Sequence, residues 1–265
     1  MSEPAEHIDC TVVDHIATIT LNRPERLNAM LPGMLPRYAQ LLREADADPQ
    51  VRVIIVTGAG RGFCSGADIS LLGQGAEVLS GFAVPVPIDQ TCLAALTIGT
   101  PVITAINGPA VGLGCVMALA ADIRFAGPDA SLSMAFPRLG LIAEYAAAWL
   151  LPRLVGLTAA TEFLMSGRSM GAEEAAALGL VTRAVPDALT AAQEWAHTVV
   201  DSCSPRSLAT IKSQLLRAST QTLAEATADA IDLMGGSFAW PDLAEAMAAR
   251  AERRSPRFPA YPPKR

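Results

Sequence analysis

The sequence predicts an α/β domain with substantially parallel strand pairing, continued by a C-terminal helical region. Three observations carry that expectation. Short runs rich in Val, Ile and Thr alternate along the chain with longer Ala- and Leu-rich segments. Two of those runs are apolar on both faces, as a strand covered on both sides must be, and each leads into a glycine-rich turn. Of the 265 residues, 51% are hydrophobic and only 17% charged, against about 25% charged in an average soluble domain. A chain of this length can bury a sizeable core, but so few charges cover a monomer thinly, and burial of part of its surface in a homo-oligomer is expected.

Taken in order, CTVV and ATITLN, joined at Asp14 and His15, predict a β-hairpin, and RVIIVTG and PVITAING predict fully buried strands. Between these two strands lie a loop, GAGRGFCSGAD, and an apolar stretch, IDQTCLAALTIG, expected to be partly helical. DIRFAG and SLSM follow as short strands, AAAWLLPRLVG, TAATEFLMSG and AEEAAALGL as helices, and VTRAV as a strand. From about Asp187 strand signals stop. Three helical segments remain, LTAAQEWAHTVVDSC, SPRSLATIKSQLLRAS and residues 222–254, with Ser204 and Pro205 as N-cap and first helical residue of the second. This region reads as an oligomerisation element or as helices packed back onto their own core. The Pro-rich, basic end, SPRFPAYPPKR, is expected to be poorly ordered unless docked. Between Asp89 and Asp122 no side chain ionises, a length sufficient for a bilayer. Pro101, Asn107, Gly108, Pro109, Gly112 and Gly114 break it into a strand, a turn and a short helix, so a buried α/β unit is expected there.

Several function classes are excluded on composition. The net charge of -6 offers no basic field for nucleic acid or anionic lipid. Neither lysine, Lys212 or Lys264, follows a glycine, which removes a Walker A loop. His7, His15 and His197 are too scattered for a typical zinc site, and Cys10, Cys64, Cys92, Cys115 and Cys203 contain no CxxC pair, so no metal is expected and the thiols read as reduced and cytoplasmic. The N-terminus, MSEPAEHIDC, has neither the basic nor the apolar region of a secretory signal. A dinucleotide-binding turn at Gly58, Gly60 and Gly62 meets Phe63 where its third glycine belongs, and Gly112 with Gly114 meets Met117. Ser65, in GFCSG, is no nucleophile elbow.

What remains are two glycine-rich turns, RGFCSGAD after RVIIVTG and NGPAVGLGC after VITAI. Such turns can bring unpaired backbone N–H groups together, and a helix start behind one of them favours a developing oxyanion. Spacing alone is equally met by two ordinary strand-to-helix loops.

LNRPERLNAM, VIIVTGAGRGFCSGADI, PVITAINGPAVGLGC, ADIRFAG, LPRLVG and TEFLMSGRSMGAEEAAALGLVTRAV together resemble, in order and spacing, the enoyl-CoA hydratase/isomerase (crotonase) family from about Thr11 to Val185. The resemblance implies a spiral of ββα units over residues 1–186, a helical trimerisation region over residues 187–265, a homotrimer or dimer of trimers, and an acyl-CoA thioester as ligand. No cofactor is implied beyond the coenzyme A of the substrate. By the same resemblance the two oxyanion-hole amides fall on Ala67 and Leu113. Glu25, Arg26 and Leu27 lie along the CoA, as do Ser65, Gly66, Asp68, Ile69 and Gly112. Val116, Phe136, Leu139 and Trp149 line the acyl group, with Phe82, Val84, Pro85 and Val86 as a further apolar wall.

Family hydratases carry two glutamates, one three residues after the second hole amide and one at the start of a P-E-x-x-x-G segment; here those positions hold Val116 and Phe136. Glu144, in RLGLIAEYAAAW, stands a few residues beyond Gly140, as in one branch of the Δ3,Δ2-enoyl-CoA isomerases. One carboxylate suits that reaction, because the proton removed from C2 is returned at C4. Its apolar neighbours would raise its pKa by desolvation; the alternative is a solvated carboxylate at a helix start. The resemblance thus implies an isomerase, with two alternatives: a hydratase or related lyase in which Glu144 activates water, and a non-catalytic acyl-CoA-binding protein. Asp68 is the rival carboxylate. Asp122 is expected to anchor a strand start, and Glu173 and Glu174 to be solvated.

Overall fold

The computed structural model describes residues 7–68, 70 and 85–261. A six-stranded sheet forms its centre. β1 (Ile8–Val13) and β2 (Ile16–Leu21) form the expected antiparallel hairpin, and β2 continues in parallel with β3 (Val53–Gly58). Beyond it lie β4 (Val102–Ile106), β6 (Ile123–Ala126) and the two-residue β9 (Arg183–Ala184), all parallel. The order is β1-β2-β3-β4-β6-β9. A second sheet of three short strands, β5 (Pro109–Val111), β7 (Ser131–Ser133) and β8 (Ser169–Gly171), stands beside it, with β5 leaving β4 through the Asn107-Gly108 turn.

Strand alternation explains the doubly apolar runs. Every residue of β3 and β4 is buried. Ile54, Val56, Val102 and Ile106 join the main core, whereas Val53, Ile55, Ile103 and Ala105 face the other way into a second core. That second core is closed by Ala188, Ala192, Ala196, Val199 and Val200. These residues belong to the helix Ala188–Ser202, whose N-cap Asp187 accepts the Thr190 N–H at 2.7 Å. The first helix after Asp187 is therefore part of the core packing and not a detached appendage.

The main core is closed by α1 (Met34–Ala47), which buries Met34, Leu35, Tyr38, Leu41, Leu42 and Ala45. α2 (Leu113–Leu119) follows β5 and is buried along its whole length. α3 (Ala147–Ser166) joins the two predicted helices across a kink at Gly156, where φ is 76° and ψ 164°. α4 (Ala172–Ala177) precedes β9, and the second-core helix is α5. α6 (Pro205–Ala218), α7 (Leu223–Ser237) and α8 (Pro241–Glu252) complete the chain. Ser204 caps α6 by accepting the Ser207 N–H, with Pro205 in its first turn, as the sequence indicates. The apolar stretch 88–99 forms only two 3-10 turns, Ile88–Gln90 and Ala94–Leu96. Among the described residues no helix is long and apolar enough to cross a membrane. The segment 255–261 is docked: Arg52 donates to the Phe258 carbonyl at 2.9 Å and Phe258 is buried.

One close approach sets the position of the glycine-rich turns. Cys64 pairs with Ala110 as a parallel bridge, through Cys64 N–H to the Pro109 carbonyl (3.0 Å) and Val111 N–H to the Cys64 carbonyl (2.9 Å). The Cys64 backbone then lies against the first turn of α2, where a side chain on Gly114 would fall on its carbonyl. Backbone on backbone leaves no flexible group to give way. Gly114→Ala should therefore destabilise the protein by about 3 kcal/mol or prevent its folding, read from urea unfolding. Wild-type stability in that variant would show that the contact can relax.

Candidate active site

Past the C-terminal ends of β3 and β4, three loops converge. The first is the 3-10 turn Pro24–Arg26, the second runs from Cys64 to Asp68, and the third is the Gly112 turn into α2. The second and third diverge immediately after their shared pairing. The Gly66 carbonyl goes to the Met30 N–H (2.7 Å), the Asp68 N–H to the Met30 carbonyl (3.1 Å), and the Gly112 N–H to the Ser133 carbonyl (2.8 Å). The amides of Ala67 and Leu113, one position off each contact, take part in no hydrogen bond among the described residues. They are near one another: a Cβ on Gly66, itself at φ 93°, would stand 2.8 Å from the Val111 oxygen and 3.9 Å from the Leu113 nitrogen. Leu113 is the first residue of α2, so its N–H also lacks an intrahelical acceptor.

The Pro24–Arg26 turn is bound to this pair of loops. Ser65 N–H reaches the Leu27 carbonyl at 3.0 Å and Ser65 Oγ the Arg26 carbonyl at 3.2 Å. Glu25 and Arg26 are exposed on its rim, and Leu27 sits partly buried in the left-handed region at φ 50°. Of the residues expected along a CoA ligand, Glu25, Arg26, Leu27, Ser65, Gly66, Asp68 and Gly112 are thus gathered at one edge. Ile69, like Phe82 and Val84, lies outside the described residues.

Three polar residues to which the sequence reading assigns no such role hold these loops. Fully buried Asn28 donates to the carbonyls of Ala59 (3.0 Å) and Gly62 (2.8 Å) and accepts the Arg23 N–H (2.8 Å). Asn107 donates to the carbonyls of Gly58, Gly60 and Gly62. The Gly58–Gly62 turn therefore spends its carbonyls inward on two asparagines. Arg23 pairs with Asp68 at 2.5 Å, both side chains being mostly buried, and also donates to the Ala29 carbonyl. Asparagines beside glycine turns were the available signal for two of them; Arg23 and Asp68 are 45 positions apart and carry none.

Burial pushes the Asp68 carboxyl up, but hydrogen bonds from Ser70 and Arg23 and the Arg23 charge outweigh it and hold it at about 2. Its folded pKa is depressed, so the stabilisation is present above the ordinary aspartate range and is lost as pH falls toward 2. Asp68→Ala leaves the mostly buried Arg23 charge with only the exposed Glu25 carboxylate, 3.9 Å away, which should cost about 3 kcal/mol in urea unfolding at pH 7. The difference from wild type should shrink in acid, and a difference that is constant with pH would show that the charge is not its source.

Phe136, at the head of a 3-10 turn Phe136–Leu139, is buried, and its ring edge stands 3.5 Å from where a Gly112 Cβ would be. Val116, one turn into α2, is fully buried. Both positions beside the paired loops are apolar. Leu139 is 59% exposed and Trp149 39% exposed, with Arg153 stacked 3.9 Å over the Trp149 ring, so these two lie at the surface.

The segment that begins with Phe136 ends with Glu144, which is half-buried two residues before the N-cap of α3. Burial pushes its carboxyl above the ordinary glutamate range, whereas a solvated carboxylate at a helix start would be lowered. Glu144 lies within electrostatic reach of Tyr145 and of the fully buried Cys92, and Cys92 in turn within reach of Cys64. Burial pushes the thiols of Cys64 and Cys115 up to about 12, so neither supplies a thiolate. Asp122 accepts the Val102 N–H and the Lys212 ammonium, each at 2.8 Å, as a strand anchor; Glu174 pairs with Arg168 at the surface and Glu173 is exposed. A cavity of about 620 Å³ bordered by Ile98, Gly99, Lys212 and Trp240 lies at the opposite, strand-start end of the sheet.

The family model described as enoyl-CoA hydratase/isomerase matches residues 12–260. The chain belongs to the enoyl-CoA hydratase/isomerase family. The Mycobacterium bovis protein named "Probable enoyl-CoA hydratase echA12" is 37% identical over 95% of this chain and 93% of its own length. The 1,2-epoxyphenylacetyl-CoA isomerase of Escherichia coli is 34% identical over 92% of this chain and 94% of its own. The crystal structure described as a probable enoyl-CoA hydratase/isomerase from Mycobacterium abscessus superposes with a TM-score of 0.88 at 33% identity, covering 96% of this chain and 99% of that one. The fold is that of the crotonase enzymes, and the chain is an enzyme of this family.

Proposed function

We propose that this enzyme is a Δ3,Δ2-enoyl-CoA isomerase in which the Ala67 and Leu113 amides hold the thioester oxygen and Glu144 carries the proton. The observation behind the reading is the half-buried Glu144 on the segment that also sets Phe136 against Gly112, with apolar Phe136 and Val116 where a second carboxylate would be needed to hold water. Family enzymes act on acyl-CoA thioesters, and the Glu25–Leu27 turn and Ser65–Ile69 are assigned to the CoA. Glu144 removes a proton from C2 of the 3-enoyl thioester. The electrons move onto the carbonyl oxygen, where two fixed N–H groups meet the charge as it develops. The protonated Glu144 then delivers the proton to C4, the double bond shifts to C2–C3, and the carboxylate is regenerated. No metal or prosthetic group enters the cycle.

A raised pKa serves both halves of this reaction, since it brings the carboxyl closer to the pH at which it must accept and then give a proton. It also has a consequence for stability. A carboxyl whose folded pKa lies above its unfolded value loses stability as pH rises between the two. Glu144→Gln should therefore lower 3-enoyl-CoA turnover by about 10³-fold while raising the melting temperature at pH 7. Turnover within a factor of ten of wild type would remove Glu144 from the role.

The names of the mycobacterial relatives favour a second reading, hydration of a 2-enoyl-CoA with Glu144 activating the water. Parallel assays on 3-enoyl-CoA and 2-enoyl-CoA separate the two, and dominant hydration by wild type would overturn the isomerase assignment.

The assembly is assigned as a homotrimer or dimer of trimers built through α6–α8. α7 buries none of its side chains, and Leu223, Ile231, Met234 and Phe238 are each more than half exposed. A contiguous apolar face of this kind is rarely left to water. Leu223→Glu with Phe238→Glu should reduce the mass measured by light scattering from a trimer or hexamer to that of the 27.7 kDa chain. A wild type already of that mass would refute the assignment.

A further inference from the structure

Among the described residues, the seven non-glycine positions with positive φ fall into three adjacent pairs and one helix end. Asp14 and His15 form the hairpin turn, and Arg253 closes α8. The other two pairs, Leu27 with Asn28 and Tyr145 with Ala146, belong to the candidate active site. Left-handed backbone disfavours L residues other than Gly, Asn and Asp. The Asn28 side chain is held by three hydrogen bonds, which account for its conformation. Nothing comparable is available to an alanine side chain.

Ala146 is unsuited to its place on two counts. It is the N-cap of α3, where Ser, Thr, Asp or Asn would supply an acceptor, and it makes no side-chain cap. It also adopts φ 60° and ψ 23°, where Gly or Asn is at ease, directly after Tyr145 at φ 46°. The turn closes through the Ala147 N–H on the Glu144 carbonyl at 2.9 Å, with Ala147 fully buried behind it. Successive side chains of an extended chain point to opposite sides. Beside this turn Glu144 and Tyr145 are both half-buried.

We infer that Tyr145 and Ala146 are positioning residues for Glu144: their consecutive left-handed backbone fixes the direction in which its side chain leaves the chain. The inference rests on the proposed role of Glu144 as the base. Strain of this kind persists only where the surroundings impose it, and it concentrates at functional sites. Ala has fewer accessible conformations than Gly, so the turn is rigid as well as strained. Neither residue needs to touch substrate.

The test compares Ala146→Gly and Ala146→Asn with wild type and Glu144→Gln. Each is assayed for deuterium uptake from D2O at C2 of butyryl-CoA, for kcat and KM on 3-enoyl-CoA, and for melting temperature. Gly relieves the strain and frees the turn. Its melting temperature should rise by about 2–4 °C, while exchange and kcat fall at least about tenfold, with KM unchanged. Asn, which tolerates the left-handed region and can cap α3, should also raise the melting temperature but retain exchange within a factor of about three. A merely structural Ala146 would move stability without parting kcat from KM, and exchange by Ala146→Gly at the wild-type rate overturns the inference alone. Wild-type exchange that survives Glu144→Gln removes the base itself, and the inference fails with it.

Discussion

Everything at the edge of this sheet depends on a three-residue stretch of backbone pairing between chain segments more than forty positions apart. Phe63 and Cys64 donate to Pro109, and Val111 donates to Cys64. No side chain fits between the paired backbones and the first turn of α2, which is why Gly114 is glycine. A ladder that continued would keep pairing alternate N–H groups along both segments. This one stops: Gly66 and Asp68 turn to Met30, Gly112 turns to Ser133, and among the described residues the amides of Ala67 and Leu113 are left over. Two donors fixed by surrounding backbone need no reorganisation when a charge arrives, and that is the condition under which such donors act on a reaction.

The polar groups are distributed unevenly to suit this arrangement. Around the paired loops Asn28, Asn107 and the Arg23–Asp68 pair are hydrogen-bonded throughout, so a buried network there rigidifies the backbone. On the segment that carries Glu144, no hydrogen bond to its carboxyl is made among the described residues. It lies within electrostatic reach of Tyr145 and the Cys92 thiol, and burial raises its proton affinity. One side of the site is held still by satisfied groups. In the proposed site the other side keeps a carboxyl partly deprived of water, which destabilises its ionised form and makes it a stronger base.

How much of this was legible in the sequence follows from the range of each interaction. β3 and β4 were readable because burial on both faces writes itself into consecutive residues, and the α6 cap because Ser204 and Pro205 are adjacent. α1 was readable in principle from Met34, Leu35, Tyr38, Leu41, Leu42 and Ala45, yet the strands and motifs on either side of it drew the reading. The packing of α5 on the second sheet face was not readable, since its alanines fit an oligomer surface as well as a sheet. Ala67 and Leu113 could be named because each sits in a glycine-rich string whose order is specific. Arg23 and Cys92 could not, because their partners are brought to them only by the fold.

In the proposed reading, the apolar residues at these two positions weigh more between the chemistries than the remaining carboxylate does. Hydration requires a water held over C3 while a proton is delivered to C2, and both tasks need polar groups on the face of the substrate opposite the amides. Val116 and Phe136 offer none, and the Phe136 ring lies close to Gly112, beside the amide of Leu113. A 1,3-proton shift needs one group that can reach C2 and C4 in turn and surroundings from which the proton does not escape to solvent. Removing polar groups from two positions impairs the first reaction and favours the second, because every excluded water is one fewer acceptor competing with the enolate for the proton on Glu144. In the proposed reaction, then, the loss of two carboxylates is part of the mechanism: it leaves a single proton with a single carrier.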